Sequence, residues 1–174
     1  MHIYSKAFTM IELIIAITII GILSLLTITI SESVRTGAKD QERLDDVSSI
    51  IRRLEQMYIA QESGAPSYPS TAELLGGITN GSGVGKWVDS SIFKSPDQSN
   101  SSVIAATSTS LVAPAGVGQP TKDQYVYQPF NSAGALCTSA NSTAVATDNC
   151  VRFIIYYRTE LDNAINKVVS FHQQ

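Results

Sequence analysis

The sequence is poor in charge, and the charge it has is nearly balanced. Only 16% of its 174 residues are charged, and 15 acidic against 12 basic side chains give a formal net charge of −3. A general nucleic-acid-binding protein would carry a basic face, so the composition does not favour this class. A surface of Ser, Thr, Asn, Gln, Gly and Ala fits an extracellular protein that packs among copies of itself, and fits an ordinary low-charge surface equally well.

Residues that carry catalytic chemistry are also scarce. The two histidines, His2 and His172, lie at opposite ends of the chain, and no nucleophile, base and acid occur in a recognisable arrangement. The glycine-rich residues 76–85 lack the Lys-Ser/Thr ending of a phosphate-binding loop and do not follow a strand signal. We therefore predict that the protein is not an enzyme and uses no cofactor.

Charge is almost absent from the N-terminal part, where Glu12 is the only charged residue between Lys6 and Glu32. The apolar run at residues 8–30 has the length of a membrane-spanning helix, which needs about 20 residues. It is too long for an ordinary signal peptide, and no Ala-x-Ala site follows it. Because Lys6 precedes the run, the leader is expected to stay in the cytoplasm and the C-terminus to lie outside. A lone carboxylate is costly inside a membrane, so Glu12 needs a partner.

The residues SKAFTMIELIIAITIIGIL resemble the processing motif of type IV prepilins and pseudopilins. The shared elements are a short basic leader at residues 1–7, which ends in the small residue Ala7, and then Phe8, Thr9 and Glu12. The family usually has glycine where this chain has Ala7. The resemblance implies that a prepilin peptidase cuts between Ala7 and Phe8 and N-methylates the new Phe8 amine.

The same resemblance suggests a partner for Glu12. Phe8 and Glu12 are four residues apart, so in a helix they lie on one face. A cationic Phe8 amine would neutralise the carboxylate, within the same chain before assembly and from a neighbouring subunit in a filament. We predict that Phe8, Thr9 and Glu12 are the assembly residues. The alternative is that Glu12 merely reaches from the helix end toward the lipid headgroups.

The helical pattern continues through residues 31–62, becomes amphipathic there, and stops before Pro66. Gly21 and Gly37 are its weak points, and Gly21 is where a local loss of helix would start. Apolar residues recur at three- and four-residue steps and are predicted to face a domain core: Val34, Ala38, Leu44, Val47, Ile50, Ile51, Leu54, Met57 and Tyr58. Charged residues are predicted to fill the other face: Asp40, Glu42, Arg43, Asp45, Asp46, Arg52, Arg53 and Glu55.

Residues 63–174 are predicted to form a globular head. A short helix is expected at residues 71–75, closed by Gly76 and Gly77. Residues 76–119 are predicted to be mostly loop, with short strands around residues 86–88 and 102–105. Trp87 and Phe93 are expected to anchor this region to the core.

Three stretches of the C-terminal third carry strand signals, namely residues 124–130, 151–159 and 164–171. The last two are joined by a hairpin-like connection at residues 160–163. Three antiparallel strands packed on the long helix would make the head. The predicted fold class is therefore α+β, in which a long N-terminal transmembrane and amphipathic helix packs on a small antiparallel β-sheet head, as in type IV pilins.

Cys137 and Cys150 are the two cysteines of the chain, and their spacing matches no zinc pattern. If the head leaves the cytosol, they can form a disulfide that closes a loop of about 14 residues and is worth roughly 3 kcal/mol. Two free buried thiols are the alternative. The resemblance implies that the loop at residues 137–150 contributes to contacts between pilin subunits.

The leading hypothesis is a structural subunit, a major or minor pilin, of a type IV pilus-like filament. A pseudopilin of a type II secretion or DNA-uptake system is the first alternative. Some pseudopilins hold calcium in the C-terminal region, where Asp148, Asp162 and Asn163 could supply oxygens, but their spacing matches no metal loop and no metal site is predicted. The second alternative is a membrane-anchored binding domain that never polymerises.

The partners implied by the leading hypothesis are other pilin subunits, a prepilin peptidase, an inner-membrane assembly platform and, before assembly, membrane lipid. No nucleic acid is predicted as a partner. The implied location is the cytoplasmic membrane, crossed once with the C-terminus outside, and afterwards an extracellular or periplasmic filament.

Overall fold

The structure, a computed structural model, describes residues 8–59, 66–86, 89–107, 109, 119–138 and 149–172. The chain divides into two compact units, Met1–Ala38 and Lys39–Gln174. The leader at residues 1–7, residue Trp87 and most of the loop between the cysteines, with Asp148, lie outside the described residues.

The first helix, α1, is Met10–Ile59 and contributes to both units. The sequence predicted a helix over residues 8–62. Phe8 and Thr9 instead precede the first helical residue, and residues 60–65 lie outside the described part. Gly21 and Gly37 are both within the helix. No proline interrupts α1, because the first proline of the chain is Pro66.

The part of α1 that lies in the first unit has exposed apolar side chains at its described positions. The large apolar side chains described between Phe8, which is 80% exposed, and Leu25, which is 70% exposed, are all more than half exposed. No helix meets the length and apolarity of a membrane span within the part of the chain that the structure describes. The membrane span predicted at residues 8–30 is therefore not supported by the structure.

The second helix, α2, is Thr71–Asn80 and has caps at both ends. The Ser70 hydroxyl accepts a hydrogen bond from the Glu73 backbone N–H, and the Glu73 carboxylate accepts one from the Ser70 N–H at 2.8 Å. This reciprocal capping box fixes the start of the helix. The helix ends at Gly81, whose φ of 61° is left-handed and therefore favours glycine.

The prediction that α2 ends at residue 75 was wrong, because Gly76 and Gly77 continue the helix. Gly77 is required for close packing rather than for a turn. A Cβ at Gly77 would lie 2.8 Å from the Ser82 carbonyl oxygen, whereas a Cβ at Gly76 would meet nothing within 4 Å. The chain after α2 folds back across Gly77 into a short 3₁₀ turn, Gly83–Gly85.

Four strands form one sheet in the order β1-β2-β3-β4. They are β1, Val103–Ala105; β2, Tyr125–Asn131; β3, Cys150–Arg158; and β4, Ile165–Val169. The pairs β2–β3 and β3–β4 are antiparallel, which confirms the three predicted strands and their hairpin. The short strand predicted near residues 102–105 is also present, but it pairs parallel to β2 and makes the sheet mixed.

The strand predicted around residues 86–88 is not found at Lys86, which ends the 3₁₀ turn, and residues 87–88 lie outside the described part. A second 3₁₀ turn, Ser90–Phe93, follows. The Phe93 side chain is 2% exposed, so its predicted role as an anchor to the core is confirmed.

The main core lies between one face of the sheet and the helices of the second unit. Alternate residues of β3, Phe153, Ile155 and Tyr157, share one buried cluster with residues of α1 and α2. Those helical residues are Val47, Ile50, Ile51, Leu54, Tyr58 and Leu74. The opposite face of the sheet carries a second, smaller cluster that contains Val126, Phe130, Ile154 and Tyr156.

The apolar stripe predicted for α1 faces this core only from Val47 onward. Val34 is 66% exposed and Leu44 is 40% exposed, and Ala38 is exposed as well. The prediction that these three residues face a core was therefore wrong.

The charged face predicted for α1 was also partly wrong, because Arg43 is 1% exposed. Its guanidinium donates hydrogen bonds to the Asp40 carboxylate at 2.9 Å, the Glu160 carboxylate at 3.0 Å and the Lys122 carbonyl at 3.0 Å. A buried arginine is stable only when its donors are satisfied in this way.

Glu55, placed by the sequence on the same charged face, is 7% exposed. One carboxylate oxygen accepts a hydrogen bond from the Tyr68 hydroxyl at 2.8 Å and lies 2.9 Å from His172 Nδ1. The other accepts from the Phe171 backbone N–H at 2.9 Å. Glu55 thereby fastens the end of the chain beyond β4 to α1.

Candidate functional site at the start of the long helix

The start of α1 is held by a reciprocal cap between Thr9 and Glu12. The Glu12 carboxylate accepts a hydrogen bond from the Thr9 backbone N–H at 2.9 Å and another from the Thr9 hydroxyl at 2.7 Å. The Glu12 backbone N–H in turn lies 3.4 Å from the Thr9 hydroxyl oxygen. Thr9 is thus the N-cap residue, and Glu12 occupies the third helical position of a capping box.

The structure brings together two of the predicted assembly residues, Thr9 and Glu12, but not the helical pair of Phe8 and Glu12. Phe8 lies before the first helical residue, so the geometry expected for residues four apart in a helix does not apply to it. Ala7 lies outside the described residues.

The capping role of Thr9 was missed at the level of sequence, although a signal for it exists. Thr9-Met10-Ile11-Glu12 has the Thr-x-x-Glu spacing of a capping box directly before an apolar run. The Glu12 carboxylate therefore has a local hydrogen-bonding partner in a single, uncut chain. It also lies where the positive end of the helix dipole favours a negative charge.

The surroundings of this carboxylate are apolar and exposed. Met10 is 85% exposed, Ile11 66% and Leu13 58%, so the residues next to Glu12 in sequence present exposed apolar side chains at the helix start. An exposed apolar surface with a single charge can do two things chemically. It can be covered by lipid or by other apolar helices. In that apolar environment its carboxylate can form an ion pair with a cationic group.

The predicted disulfide between Cys137 and Cys150 is present. Backbone hydrogen bonds hold both cysteines to Tyr68, which precedes α2, and to Thr71, the first residue of α2. The Tyr68 N–H donates to the Cys150 carbonyl at 2.8 Å, and the Thr71 N–H donates to the Cys137 carbonyl at 3.0 Å. Residues 139–148, between the cysteines, lie outside the described part.

The candidate calcium ligands that the structure describes have other roles. Asp162 accepts hydrogen bonds from the Thr159 hydroxyl and the Ala164 N–H, which lower the pKa of its carboxyl group. The Asn163 carbonyl accepts one from Arg158. No group of three or more His, Cys, Asp or Glu side chains suited to a metal ion occurs among the described residues.

A long N-terminal helix, a shorter second helix and a four-stranded mixed sheet make an α+β arrangement that is consistent with a pilin-like fold. Residues 4–28 match the prokaryotic N-terminal methylation motif, which is the prepilin-type cleavage and methylation motif of type IV pilins and pseudopilins. The resemblance seen in the sequence is thereby confirmed. The motif marks structural proteins that are generally not enzymes. No curated protein and no solved structure matches the chain.

Proposed function

We propose that this chain is a structural subunit, a major or minor pilin, of a type IV pilus-like filament. In this proposal a prepilin peptidase removes residues 1–7, and the remaining chain polymerises through α1. The observation that carries the proposal is the coincidence of two features at the same residues. The methylation motif at residues 4–28 falls on the part of α1 whose apolar side chains are exposed around a single carboxylate.

The exposed apolar surface of the first unit must be covered in the functional state. Burying apolar surface stabilises by roughly 25 cal/mol per Å², so a bare helix of this composition is strongly driven to associate. Lipid of the cytoplasmic membrane covers it before assembly, with the C-terminus outside. The same helices of neighbouring subunits cover it in an extracellular or periplasmic filament.

Processing supplies the cation that Glu12 needs. Hydrolysis of the peptide bond between Ala7 and Phe8 leaves a carboxylate on Ala7 and an amine on Phe8. An α-amino group has a pKa of about 7.7–8.0, so most of it is protonated at neutral pH, and N-methylation keeps it basic. The new ammonium is next to Thr9, whose N–H already donates to the Glu12 carboxylate.

The ion pair between Phe8 and Glu12 then sets the axial register of the filament. Among packed apolar helices an unpaired carboxylate is strongly destabilising. The Glu12 carboxylate of one subunit is therefore satisfied only where the Phe8 amine of a neighbour reaches it. Before assembly, Thr9 holds the Glu12 carboxylate at the helix start. During assembly, which the inner-membrane assembly platform would drive, the Phe8 amine of the neighbouring subunit becomes the partner of this carboxylate.

The head supports a pilin in particular. The Cys137–Cys150 disulfide closes the segment between the two cysteines, and backbone hydrogen bonds tie Cys150 to Tyr68 and Cys137 to Thr71 at the start of α2. By resemblance, a disulfide-bounded loop near the C-terminus contributes to subunit contacts in pilins. A disulfide also fits a head that has left the cytosol.

The test of the proposal is N-terminal mass analysis of filaments sheared from cells. We expect filaments composed of chains that begin at N-methylated Phe8. A processed chain that stays in the cell envelope and never enters sheared filaments would overturn the pilin proposal in favour of a pseudopilin. A membrane-bound form that keeps Met1 would overturn it in favour of an anchored domain that does not polymerise.

A further inference from the structure

The Cys137–Cys150 disulfide belongs to the main core of the head. Cys150 is 0% exposed and Cys137 is 7% exposed, and both are members of the buried cluster that contains Leu74 and Phe153. Thiol–disulfide exchange proceeds by direct contact between a thiolate and a disulfide sulfur, so its rate depends on access to the sulfur atoms. The folded head presents almost no cysteine surface to such a contact.

Residues 67–71, which we call the entry segment because they lead into α2, are joined to both cysteines. All five residues of the segment are buried. The Tyr68 N–H donates to the Cys150 carbonyl at 2.8 Å, and the Thr71 N–H donates to the Cys137 carbonyl at 3.0 Å. The entry segment is therefore bonded to the chain at both ends of the disulfide.

Tyr68 holds the entry segment to α1 and to β3. Its hydroxyl donates to the buried Glu55 carboxylate of α1 at 2.8 Å. Its ring stacks on Tyr58 of α1, with 4.6 Å between the centroids, and meets the Phe153 ring of β3 edge-on at 4.7 Å. A movement of Tyr68 that left room beside Cys150 would break all of these contacts.

The entry segment is also bonded to β2. The Tyr127 hydroxyl donates to the Pro69 carbonyl at 2.7 Å, and the Cys137 N–H donates to the Pro129 carbonyl at 3.1 Å. Exposing a sulfur atom therefore requires the entry segment to leave α1, β2 and β3 together. Openings that break contacts with several elements at once are rare in a folded protein, because their free energy is high.

The same burial acts on the two thiols of a reduced chain. In a packed head both cysteine side chains occupy this core, where a thiol is inert because the reactive form is the thiolate. An oxidant must also bring its own disulfide into contact with one of the cysteine sulfurs. Oxidation after the head has packed is therefore slow on both counts.

We propose that Cys137 and Cys150 are oxidised before the entry segment packs on β3, and that this packing then buries the bond. The reaction that supplies the folded head is thiol–disulfide exchange with an oxidant disulfide. One cysteine thiolate attacks the oxidant and releases its first thiol, and the other cysteine displaces the second thiol as the Cys137–Cys150 bond forms. Two electrons pass to the oxidant, and the two cysteine protons end on its thiols.

This order of events is independent of the proposed function, which sets only the compartment in which oxidation occurs. The first test reduces the purified full chain in detergent and urea. Oxidised glutathione is then added either in urea or after return to native buffer, and alkylation with mass analysis counts the free thiols. A peptide of residues 137–150, measured in both buffers, corrects for the effect of urea on the exchange.

We expect oxidation in native buffer to be at least about 100-fold slower than in urea, because it waits for an opening of the packed head. Near-ultraviolet circular dichroism reports whether the reduced chain is packed. A reduced chain that does not pack, and is oxidised as fast as in urea, supports the same order, since the bond is then needed for packing. A packed reduced chain that is oxidised as fast as in urea would overturn the proposal.

The second test measures how fast dithiothreitol reduces the disulfide of the folded, oxidised chain in native buffer. Tyr68→Phe removes the hydrogen bond to Glu55 and keeps both the ring and the backbone bond to Cys150. We expect this variant to be reduced about tenfold faster than the wild-type chain, because a hydrogen bond to a charged group no longer holds the entry segment.

Tyr125→Phe is the matched control. The Tyr125 hydroxyl donates to the Asp46 carboxylate of α1 at 2.9 Å, but Tyr125 lies at the end of β2 opposite to Asn131, the partner of Cys150. This variant should speed reduction by less than about threefold, because its contacts are remote from the entry segment. Equal acceleration by the two variants would show that the entry segment does not protect the bond. Reduction of the wild-type chain in native buffer as fast as in urea would overturn the whole proposal. Both tests use the purified chain, so neither result depends on whether the protein enters a filament.

Discussion

Arg43 of α1 is ion-paired with Glu160, which follows β3, at an Nη2–Oε1 distance of 3.0 Å across 117 positions of sequence. The Asp40 carboxylate binds the same guanidinium and also accepts hydrogen bonds from the backbone N–H groups of Glu160 and Leu161. This network fixes the turn between β3 and β4 on the helix. It therefore sets the position of β4 as well as the stability of the head.

Arg43→Ala should destabilise the head by about 3–5 kcal/mol, because removing one partner of a buried pair leaves the carboxylates of Asp40 and Glu160 without their cation. The measurement is urea unfolding of the full chain in detergent, monitored by near-ultraviolet circular dichroism. Arg52→Ala on the exposed side of α1 is the control and should change stability by less than about 0.5 kcal/mol. Equal effects of the two variants would contradict a structural role for the buried network.

Glu12→Gln should leave the chain in the membrane fraction and cut at Phe8, while its amount in sheared filaments falls by about tenfold. Glutamine can still accept a hydrogen bond from the Thr9 N–H, but it cannot form an ion pair with the Phe8 amine. Thr9→Ala changes the cap and keeps the charge, with Thr9→Ser as the variant that retains the hydroxyl. Normal incorporation of the Glu12→Gln chain would show that the charge is not needed for assembly.

Asp46 should make the stability of the head depend on pH. The pKa of Asp46 is raised from 3.8 to about 6, chiefly by burial. The hydrogen bond from Tyr125 opposes this rise, and the charges of Glu42 and Asp45 contribute to it. The folded state favours the protonated form of Asp46. The contribution of Asp46 to the free energy of unfolding is therefore fully present below about pH 4 and is lost as the pH rises through about 6.

Asp46→Asn should accordingly stabilise the head at about pH 7.5 by about 1–2 kcal/mol, a value reduced from the full shift because the side chain is only half-buried. Asparagine keeps an oxygen that can accept from the Tyr125 hydroxyl. The advantage should disappear at about pH 4. Urea unfolding at several pH values measures it, with Asp123→Asn as the exposed control. A stability difference that does not vary with pH would rule out Asp46 as the titrating group.

The two adjacent glycines of α2 should respond to alanine in opposite directions. Gly76→Ala places a methyl group in open space and should stabilise by about 0.5–1 kcal/mol through helix propensity. Gly77→Ala forces a Cβ to within 2.8 Å of the Ser82 carbonyl and should destabilise by about 1–3 kcal/mol. Thermal unfolding of the two variants gives the comparison, and the same sign for both would mean that the return of the chain across Gly77 is not tight.

Cys137→Ser together with Cys150→Ser should lower head stability by roughly 3 kcal/mol, because a loop of about 14 residues is no longer closed in the unfolded state. Cleavage between Ala7 and Phe8 should proceed normally, since the disulfide lies in the other unit of the chain. Unfolding in detergent and N-terminal mass analysis measure the two effects. A thiol assay that finds both cysteines free in exported protein would contradict the disulfide.

Patterns that depend on neighbouring residues were readable in the sequence. The motif around Glu12 is defined by spacing along one segment, and the strands β2, β3 and β4 are marked by runs of aromatic and β-branched residues. The end of α2 was misread for a related reason. Gly76 and Gly77 have the sequence pattern of a helix end. Gly77 is instead needed because the Ser82 carbonyl lies too close to leave room for a Cβ, and the sequence pattern does not show this contact.

By itself the sequence determined the processing motif, the single charge in an apolar helix and the three antiparallel strands, because each depends on short-range periodicity or on chemistry at fixed offsets. Only the tertiary structure decided that β1 pairs parallel to β2 and that Arg43 and Glu55 are buried. The physical reason is that a charged side chain on a helix can be solvated or internally paired. Partners far away in sequence, such as Glu160 for Arg43 and the Phe171 backbone N–H for Glu55, make the difference.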